Sequence, residues 1–259
     1  MPVGGGAMVT VREVDDEAGA FPAFAFWGMG AERVGLLIPA AGRGERLGGD
    51  TPKAFVALGG EPIVIRTLMR LAEFRGFVRG LALLPASHVD TFRALVEAHT
   101  LPFPVAGIPG GAERQDSVRR GLDALDDAVD IVVVHDAVRP FASVAMVAAC
   151  VAAARERGAA LTAVPVHDTI KRIADDTVVS TVERRGLWMV QTPQAFRLSL
   201  LRRAHQRAAE VGFAATDDGA LVEWAGTAPA IVPGDPLNLK ITTAADLRLA
   251  ESLLSAPAR

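Results

Sequence analysis

Thiol chemistry is nearly absent from this sequence. Cys150 is the one cysteine, so no intrachain disulfide can form. Its place in an alanine-rich helical run predicts a buried, reduced thiol and not a nucleophile. That usage fits a reducing cytoplasm. Long apolar runs are missing too: Val144 to Ala154 is apolar throughout but falls short of the roughly 18 residues a membrane span needs, so no membrane partner is expected. Nor is there an excess of one charge. Lys and Arg total 27 against 30 Asp and Glu, a net charge of −3, which gives no global attraction to nucleic acid or anionic lipid. Any affinity for an anion must be local. Internal repeats and low-complexity linkers are also lacking, and 259 residues are enough to bury a sizeable core without staples.

What is present is an alternation of short apolar runs with helical patterns, which predicts an α/β fold: a Rossmann-like, mostly parallel sheet flanked by helices. Strands are expected at Val34 to Ile38, Phe77 to Leu84, Pro104 to Ile108, Asp130 to Asp136, Ala160 to Val166, Leu187 to Val190 and Ala230 to Val232. The helices between them are expected from Pro62 to Phe74, from Ser87 as cap to about His99, and from Glu113 to Leu125. Further helices run from Ser143 to Gly158, Arg197 to Val211, Thr216 to Trp224 and Ala244 to Leu254. Gln191-Thr192-Pro193-Gln194 reads as a turn. Asp168 to Val182 breaks the rhythm, alternating around Asp175-Asp176 as a hairpin does. A hairpin projecting from an α/β sheet needs a covering surface, so residues 168–186 are expected to form a β-arm for dimerisation. A single domain is expected over residues 34–256. Residues 1–33 read as a disordered N-terminal extension, because acidic Asp15, Asp16 and Glu17 precede the apolar stretch Phe21 to Gly30, the wrong order for a secretory signal. Met29 is the expected start, or the leader is otherwise dispensable.

The first strand runs into PAAGRGERLGGDTPK, Pro39 to Lys53. Gly42 and Gly44 lack a Cβ, so the backbone can turn sharply and aim N–H groups at phosphate oxygens, with Arg43, Arg46 and Lys53 supplying charge. It is not a known dinucleotide or P-loop fingerprint. The G-x-G-x-x-G pattern fails at Leu47, and a Walker match from Gly44 meets Asp50 in place of Lys. An ordinary βα turn explains the glycines equally well until the distal Pro52-Lys53 pair is counted. A second glycine pair, Gly110-Gly111, opens a helix carrying Arg114 and Ser117, whose unpaired N–H groups suit a polar ligand edge. At the end of a parallel strand, Asp136 and Arg139 should face the same crevice as the Pro39 loop. No second His or Asp stands at ligand spacing from His135 and Asp136, so a His–Asp metal site is disfavoured.

In order along the chain, PAAGRGERL with TPK, GGAERQDSV, VHDAVRP, DTIK, RRGLW, TPQ, TDD and NLKIT resemble the motifs of the 2-C-methyl-D-erythritol 4-phosphate cytidylyltransferase family, enzymes of the non-mevalonate isoprenoid pathway. The resemblance runs from about Val34 to Leu254. It departs at Ala112, Val138 and His167, none of which removes a required charge. It implies a Mg²⁺-dependent nucleotidyltransferase that joins CTP and 2-C-methyl-D-erythritol 4-phosphate, working as a homodimer in the cytoplasm. Ala40, Ala41 and Gly42 would line the nucleotide pocket, Gly111 and Ser117 would contact cytosine, and Asp136 with Ala137 would serve the ribose and the metal-phosphate region. Arg46 and Lys53 would hold the triphosphate and the transition state beside Lys240. Arg139 would lie near the methylerythritol substrate, Thr169 and Arg184 would reach that substrate in the neighbouring subunit, and Thr192 and Thr216 would be further pocket residues. The alternatives are a ribitol 5-phosphate cytidylyltransferase and a non-catalytic nucleotide-binding homologue on the same scaffold.

Overall fold

The computed structural model describes residues 33–42 and 51–255. The expected extension at 1–33 lies outside them apart from Arg33. The described chain divides into two compact units, residues 165–188 and the remainder.

The larger unit is built on strands β1 (Val34–Pro39), β4 (Phe77–Leu84), β5 (Val105–Pro109), β6 (Ile131–Val134), β7 (Ala159–Pro165), β10 (Trp188–Arg197) and β11 (Ala230–Pro233). Their order across the sheet is β11-β7-β10-β6-β1-β4-β5. β1 pairs parallel with both β4 and β6, and β4 with β5. β10 runs antiparallel to β6. A short hairpin of β2 (Ala57–Leu58) and β3 (Glu61–Pro62) lies outside this sheet. Successive strands leave β1 in opposite directions, to β4 and to β6, so the strand order reverses between β1 and β6. In open α/β sheets that is where ligands bind.

The apolar runs are continuous because both faces of the sheet are covered, and alternate residues serve opposite faces. Leu36 and Ile38 of β1 and Ile131 and Val133 of β6 pack in one core, with α1 (Ile63–Leu71), α2 (Val89–Glu97) and α4 (Val144–Arg157). Leu37, Val132 and Val134 point into the other, with α3 (Arg114–Ala124), α5 (Leu198–Val211) and α6 (Asp218–Trp224). Burying each of these aliphatic chains contributes about 1.5–3 kcal/mol. Gly121 lets α3 sit close to the sheet, since a Cβ there would fall 2.9 Å from both Leu37 and Leu83 side chains. A third, smaller cluster holds α7 (Ala244–Ser255) through Ala250 against Leu58, Ile63, Val138 and Ile241.

Two expectations are corrected. Gln191 to Gln194 is not a turn but the middle of β10, where Pro193, lacking an N–H, is tied in by its carbonyl, which accepts from Thr162 Oγ1 at 2.9 Å. Ser87 does not cap α2; a 3-10 turn over Ala86–His88 precedes the helix, and the Ser87 hydroxyl bonds His88 Nδ1. The strand expected at Leu187 to Val190 is the first part of β10, α1 stops at Leu71, three residues short of the expected Phe74, and the other boundaries fall within a residue or two of expectation. Ser143 caps α4 by accepting from Met146 N, and Cys150 is buried in the middle of that helix.

The smaller unit is a hairpin of β8 (Ile170–Ala174) and β9 (Thr177–Val182). Asp175 and Asp176 take positive φ at its tip, the backbone of a type I′ turn. Val166 N donates to Leu187 O across its base.

Candidate active site

The carboxyl ends of β1, β5 and β6 open into a cavity of about 330 Å³. Ala40, Ala41 and Gly42 reach it from β1, Gly111 to Arg114 and Ser117 from the start of α3, and Asp136 to Val138 from β6. Lys53 enters from the 3-10 turn Lys53–Phe55, and Lys240 from the segment before α7. Residues far apart in sequence therefore meet at the crossover point of the sheet.

Asp136 is the electrostatic centre. Its Oδ2 lies 2.9 Å from Lys240 Nζ and 3.3 Å from Arg139 Nε, and its Oδ1 is 3.8 Å from Arg114 Nε. Burial alone would raise its pKa, but the Lys240, Arg114 and Arg139 charges outweigh it and hold the carboxyl well below the usual carboxylate range. Counting Asp218, which pairs with Arg114, and Glu113 on the lining, the four cations Lys53, Arg114, Arg139 and Lys240 still outnumber the three carboxylates. Such a concave, partly desolvated surface is built for a polyanion.

The loop that carries Asp136 is fixed on several sides. Asp136 N donates to Thr192 Oγ1 at 3.0 Å, Thr67 Oγ1 to Ala137 O at 2.8 Å, and Ile241 N to Val138 O at 2.9 Å. His135, fully buried, donates through Nε2 to Arg139 O at 3.0 Å. Desolvation lowers its pKa to about 4, so the ring is neutral near pH 7. Arg139 in turn reaches Asn238 O at 2.7 Å.

The second loop is equally determined. Gly111 N donates to Ser117 Oγ at 2.9 Å, and that hydroxyl donates to Glu113 O at 3.0 Å. A Cβ on Gly111 would lie 2.3 Å from Asp116 Cβ, so only glycine fits. Ser117 thus shapes the pocket wall as well as lining it.

Of the expected site residues, Ala40, Ala41, Gly42, Lys53, Gly111, Ser117, Asp136, Ala137 and Lys240 line one cavity. Arg46 lies outside the described residues. Arg139 is held behind Asp136 with its side chain 11% exposed, and Thr192 is buried as the acceptor of the Asp136 amide. Thr216 is exposed just before α6. Thr169 and Arg184 belong to the hairpin unit, where Thr169 is exposed and Arg184 donates to the His167 carbonyl. Two features went unread in the sequence: the ion pair of Arg114 with Asp218, and Asn238, whose amide bonds Thr192 O at 2.8 Å. The TDD and NLKIT motifs marked both segments without revealing those contacts.

Among the described residues no cluster of three or more His, Cys, Asp or Glu could hold a metal by itself. A single carboxylate is nonetheless a fitting partner for Mg²⁺ when phosphate oxygens and water complete the shell. Asp136 Oδ1, whose charged neighbour is no closer than 3.8 Å, retains that capacity.

Residues 34–256 match the family model for 2-C-methyl-D-erythritol 4-phosphate cytidylyltransferase. The enzyme of that name from Bacillus licheniformis is 42% identical over 224 residues, covering 86% of this chain and 96% of the relative. The one from Symbiobacterium thermophilum is 44% identical over 227 residues, 87% of this chain and 94% of the relative. The crystal structure of 2-C-methyl-D-erythritol 4-phosphate cytidylyltransferase from Thermus thermophilus superimposes with a TM-score of 0.72 at 37% identity, covering 86% of this chain and all of the other. With near-complete coverage at this identity, and with the charged cavity at the crossover of the sheet, the chain belongs to the 2-C-methyl-D-erythritol 4-phosphate cytidylyltransferase family.

Proposed function

We propose that the cavity binds CTP with Mg²⁺ and that the residues around Asp136 carry out nucleotidyl transfer to 2-C-methyl-D-erythritol 4-phosphate. The observation that carries this reading is the convergence of Lys240, Arg114 and Arg139 on one buried carboxylate, with Lys53 lining the same cavity.

In the reaction, a phosphate oxygen of the acceptor attacks the α-phosphorus of CTP. The new O–P bond forms as the bond to the β-phosphate oxygen breaks, giving 4-diphosphocytidyl-2-C-methyl-D-erythritol and pyrophosphate. Two anions must approach, so the protein's task is charge neutralisation and in-line alignment. Lys53 and Lys240 fit that task, with Arg46 as a third cation on the reading of the motif. The attacking phosphate is already ionised near pH 7, so no general base is required. Bound Mg²⁺ would neutralise triphosphate oxygens, with Asp136 as its protein ligand. The Gly111–Ser117 loop offers a rigid, polar wall for the base, and Arg139 with Thr192 sets the position of Asp136.

The same reading makes the hairpin an arm for a second copy of the chain. Its support is that Ile173, Val178 and Val179 are each more than half exposed, and that a lone two-stranded ribbon needs a covering surface. Thr169 and Arg184 would then serve the partner's substrate, while Thr216 would lie at the cavity's edge. A cytoplasmic setting agrees with the single buried thiol, and no described helix is long and apolar enough to cross a membrane.

The test is pyrophosphate release with CTP and Mg²⁺, comparing 2-C-methyl-D-erythritol 4-phosphate, ribitol 5-phosphate and no acceptor. Strong preference for the first is expected. Preference for ribitol 5-phosphate would move the acceptor assignment while leaving the nucleotide site intact, and silence from folded protein that binds CTP would overturn the catalytic reading.

A further inference from the structure

Behind the cavity wall a second carboxylate is buried, one the reaction above does not use. Asp218, the first residue of α6, accepts from Arg114 Nη1 through Oδ2 at 2.7 Å, and its Oδ1 lies 3.1 Å from His205 Nε2 on α5. The Asp218 and His205 side chains are each only 2% exposed, whereas Arg114, lining the cavity, is 30% exposed. A carboxylate only accepts, so His205 Nε2 carries the proton of this contact. His205 Nδ1 is buried without a partner, which leaves Asp218 as the group that orients the ring.

We infer that Asp218, seated between Arg114 and His205, is a positioning residue for the transfer reaction, fixing the Arg114 guanidinium at the wall of the nucleotide cavity. The inference rests on the CTP reading of that cavity. Its logic is geometric. Arg114 Nε faces Asp136 Oδ1 at 3.8 Å, too long for a hydrogen bond, so the short, charge-assisted contact that sets the guanidinium is the one to Asp218. With Nη1 tied down, the remaining N–H donors are presented to the cavity in a fixed fork. The three residues come from α3, α5 and α6, helices packed on one face of the sheet. Arg114 is therefore held from the scaffold below and not from the loop it borders. Burying a carboxylate and an imidazole among apolar side chains is not a source of stability that an apolar pair could not equal, whereas holding a donor fork in place by a charge-assisted contact is something an apolar pair could not do.

The experiment is a double-mutant cycle on steady-state kinetics: wild type, Arg114→Ala, Asp218→Asn and the double variant. CTP is varied at saturating 2-C-methyl-D-erythritol 4-phosphate, and then the reverse, with thermal unfolding recorded for each. If Asp218 acts through Arg114, Asp218→Asn raises KM for CTP about tenfold and leaves KM for the acceptor within about twofold. In the Arg114→Ala background it adds less than about twofold. Equal losses in both backgrounds, or a lowered melting temperature with unchanged KM for CTP, would overturn the inference. Should Asp218→Asn fail to fold, His205→Gln, which touches Asp218 but not Arg114, is read in the same cycle against the same outcomes. A wild-type protein that neither binds nor turns over CTP would remove the CTP reading and this inference together. An active wild type with an additive cycle would remove the inference alone.

Discussion

Lys53 stands on a short 3-10 turn at the wall of the cavity, across a loop boundary from the glycine-rich stretch that announced it. Removing its ammonium should lower kcat by about 10²-fold, the scale for losing one preorganised electrostatic contact. Lys53→Ala would show this in steady-state pyrophosphate release with circular dichroism unchanged; a rise in KM for CTP at constant kcat would instead make Lys53 a ground-state binder. Residues such as Lys53 and Asp136 were legible in the sequence because strand ends and glycine turns advertise their place. His135 was not, since a histidine beside an aspartate signals neither burial nor partner. Desolvation lowers its pKa from an ordinary 6.5 to about 4. The unfolded chain therefore binds more protons between those values, and stability rises with pH through that window. On acidification from about pH 6.5 to 4 the protein should lose up to roughly 2–3 kcal/mol on this account. His135→Gln keeps a donor for Arg139 O but cannot titrate, so its melting temperature should fall less steeply over the same range. Parallel curves for the two proteins would place the acid sensitivity elsewhere.

At the scale of elements, strands buried on both faces were read almost to the residue because a continuous apolar run bounded by turn residues has few other uses. The first residues of β10 were read as a strand, but its continuation escaped because Gln191 to Gln194 carries turn chemistry. In the fold, side chains replace what the backbone cannot give: Thr192 Oγ1 accepts from Asp136 N, and Pro193 O accepts from Thr162 Oγ1. Both partners are distant in sequence, so no local pattern records them. The start of α7 is the opposite case. Thr243 Oγ1 accepts from Asp246 N at 3.2 Å while Asp246 Oδ2 accepts from Thr243 N at 2.8 Å, a reciprocal cap with the spacing of a capping box. The same Oδ2 also accepts from Thr242 N and Oγ1. Slight burial raises the Asp246 pKa, but these hydrogen bonds dominate and bring it down to about 2. Its folded pKa lies below the unfolded one, so the cap is complete above about pH 4 and is lost as pH falls toward 2. Asp246→Ala should cost about 1 kcal/mol. The loss should appear at pH 7 in urea unfolding and shrink as pH falls to 2, where the wild-type carboxyl is taking up its proton; a pH-independent difference would point to packing and not to capping. Because Lys240 lies a few residues before this cap, α7 also bears on the cavity.

The described residues divide into a large α/β unit that holds the cavity and a hairpin unit in which none of them is buried. Every described residue of β8 and nearly every one of β9 is exposed, which is costly for apolar side chains unless something covers them. The proposed occupant is a second copy of the chain, and the sharper question is whether that copy also supplies a functional group. Arg184 and Lys53 decide it. In a symmetric dimer with shared sites, Lys53→Ala disables a site through its own subunit and Arg184→Ala disables the partner's site. Each homodimeric variant is then impaired twice over. After exchange of equal amounts, half of the dimers are mixed, and in each mixed dimer one site carries both substitutions while the other carries neither. About a quarter of all sites thereby become wild type, so the mixture should recover roughly a quarter of the wild-type rate. Subunit exchange is monitored independently by native mass spectrometry of isotopically labelled protein. Exchange without recovery would place Arg184 in its own subunit's site, since every site in the mixed dimer would then still carry one substitution, whereas an Arg184→Ala homodimer as active as wild type would place it in none. Absence of any dimer at micromolar concentration would remove the shared site altogether and leave the apolar faces of the arm to a different partner.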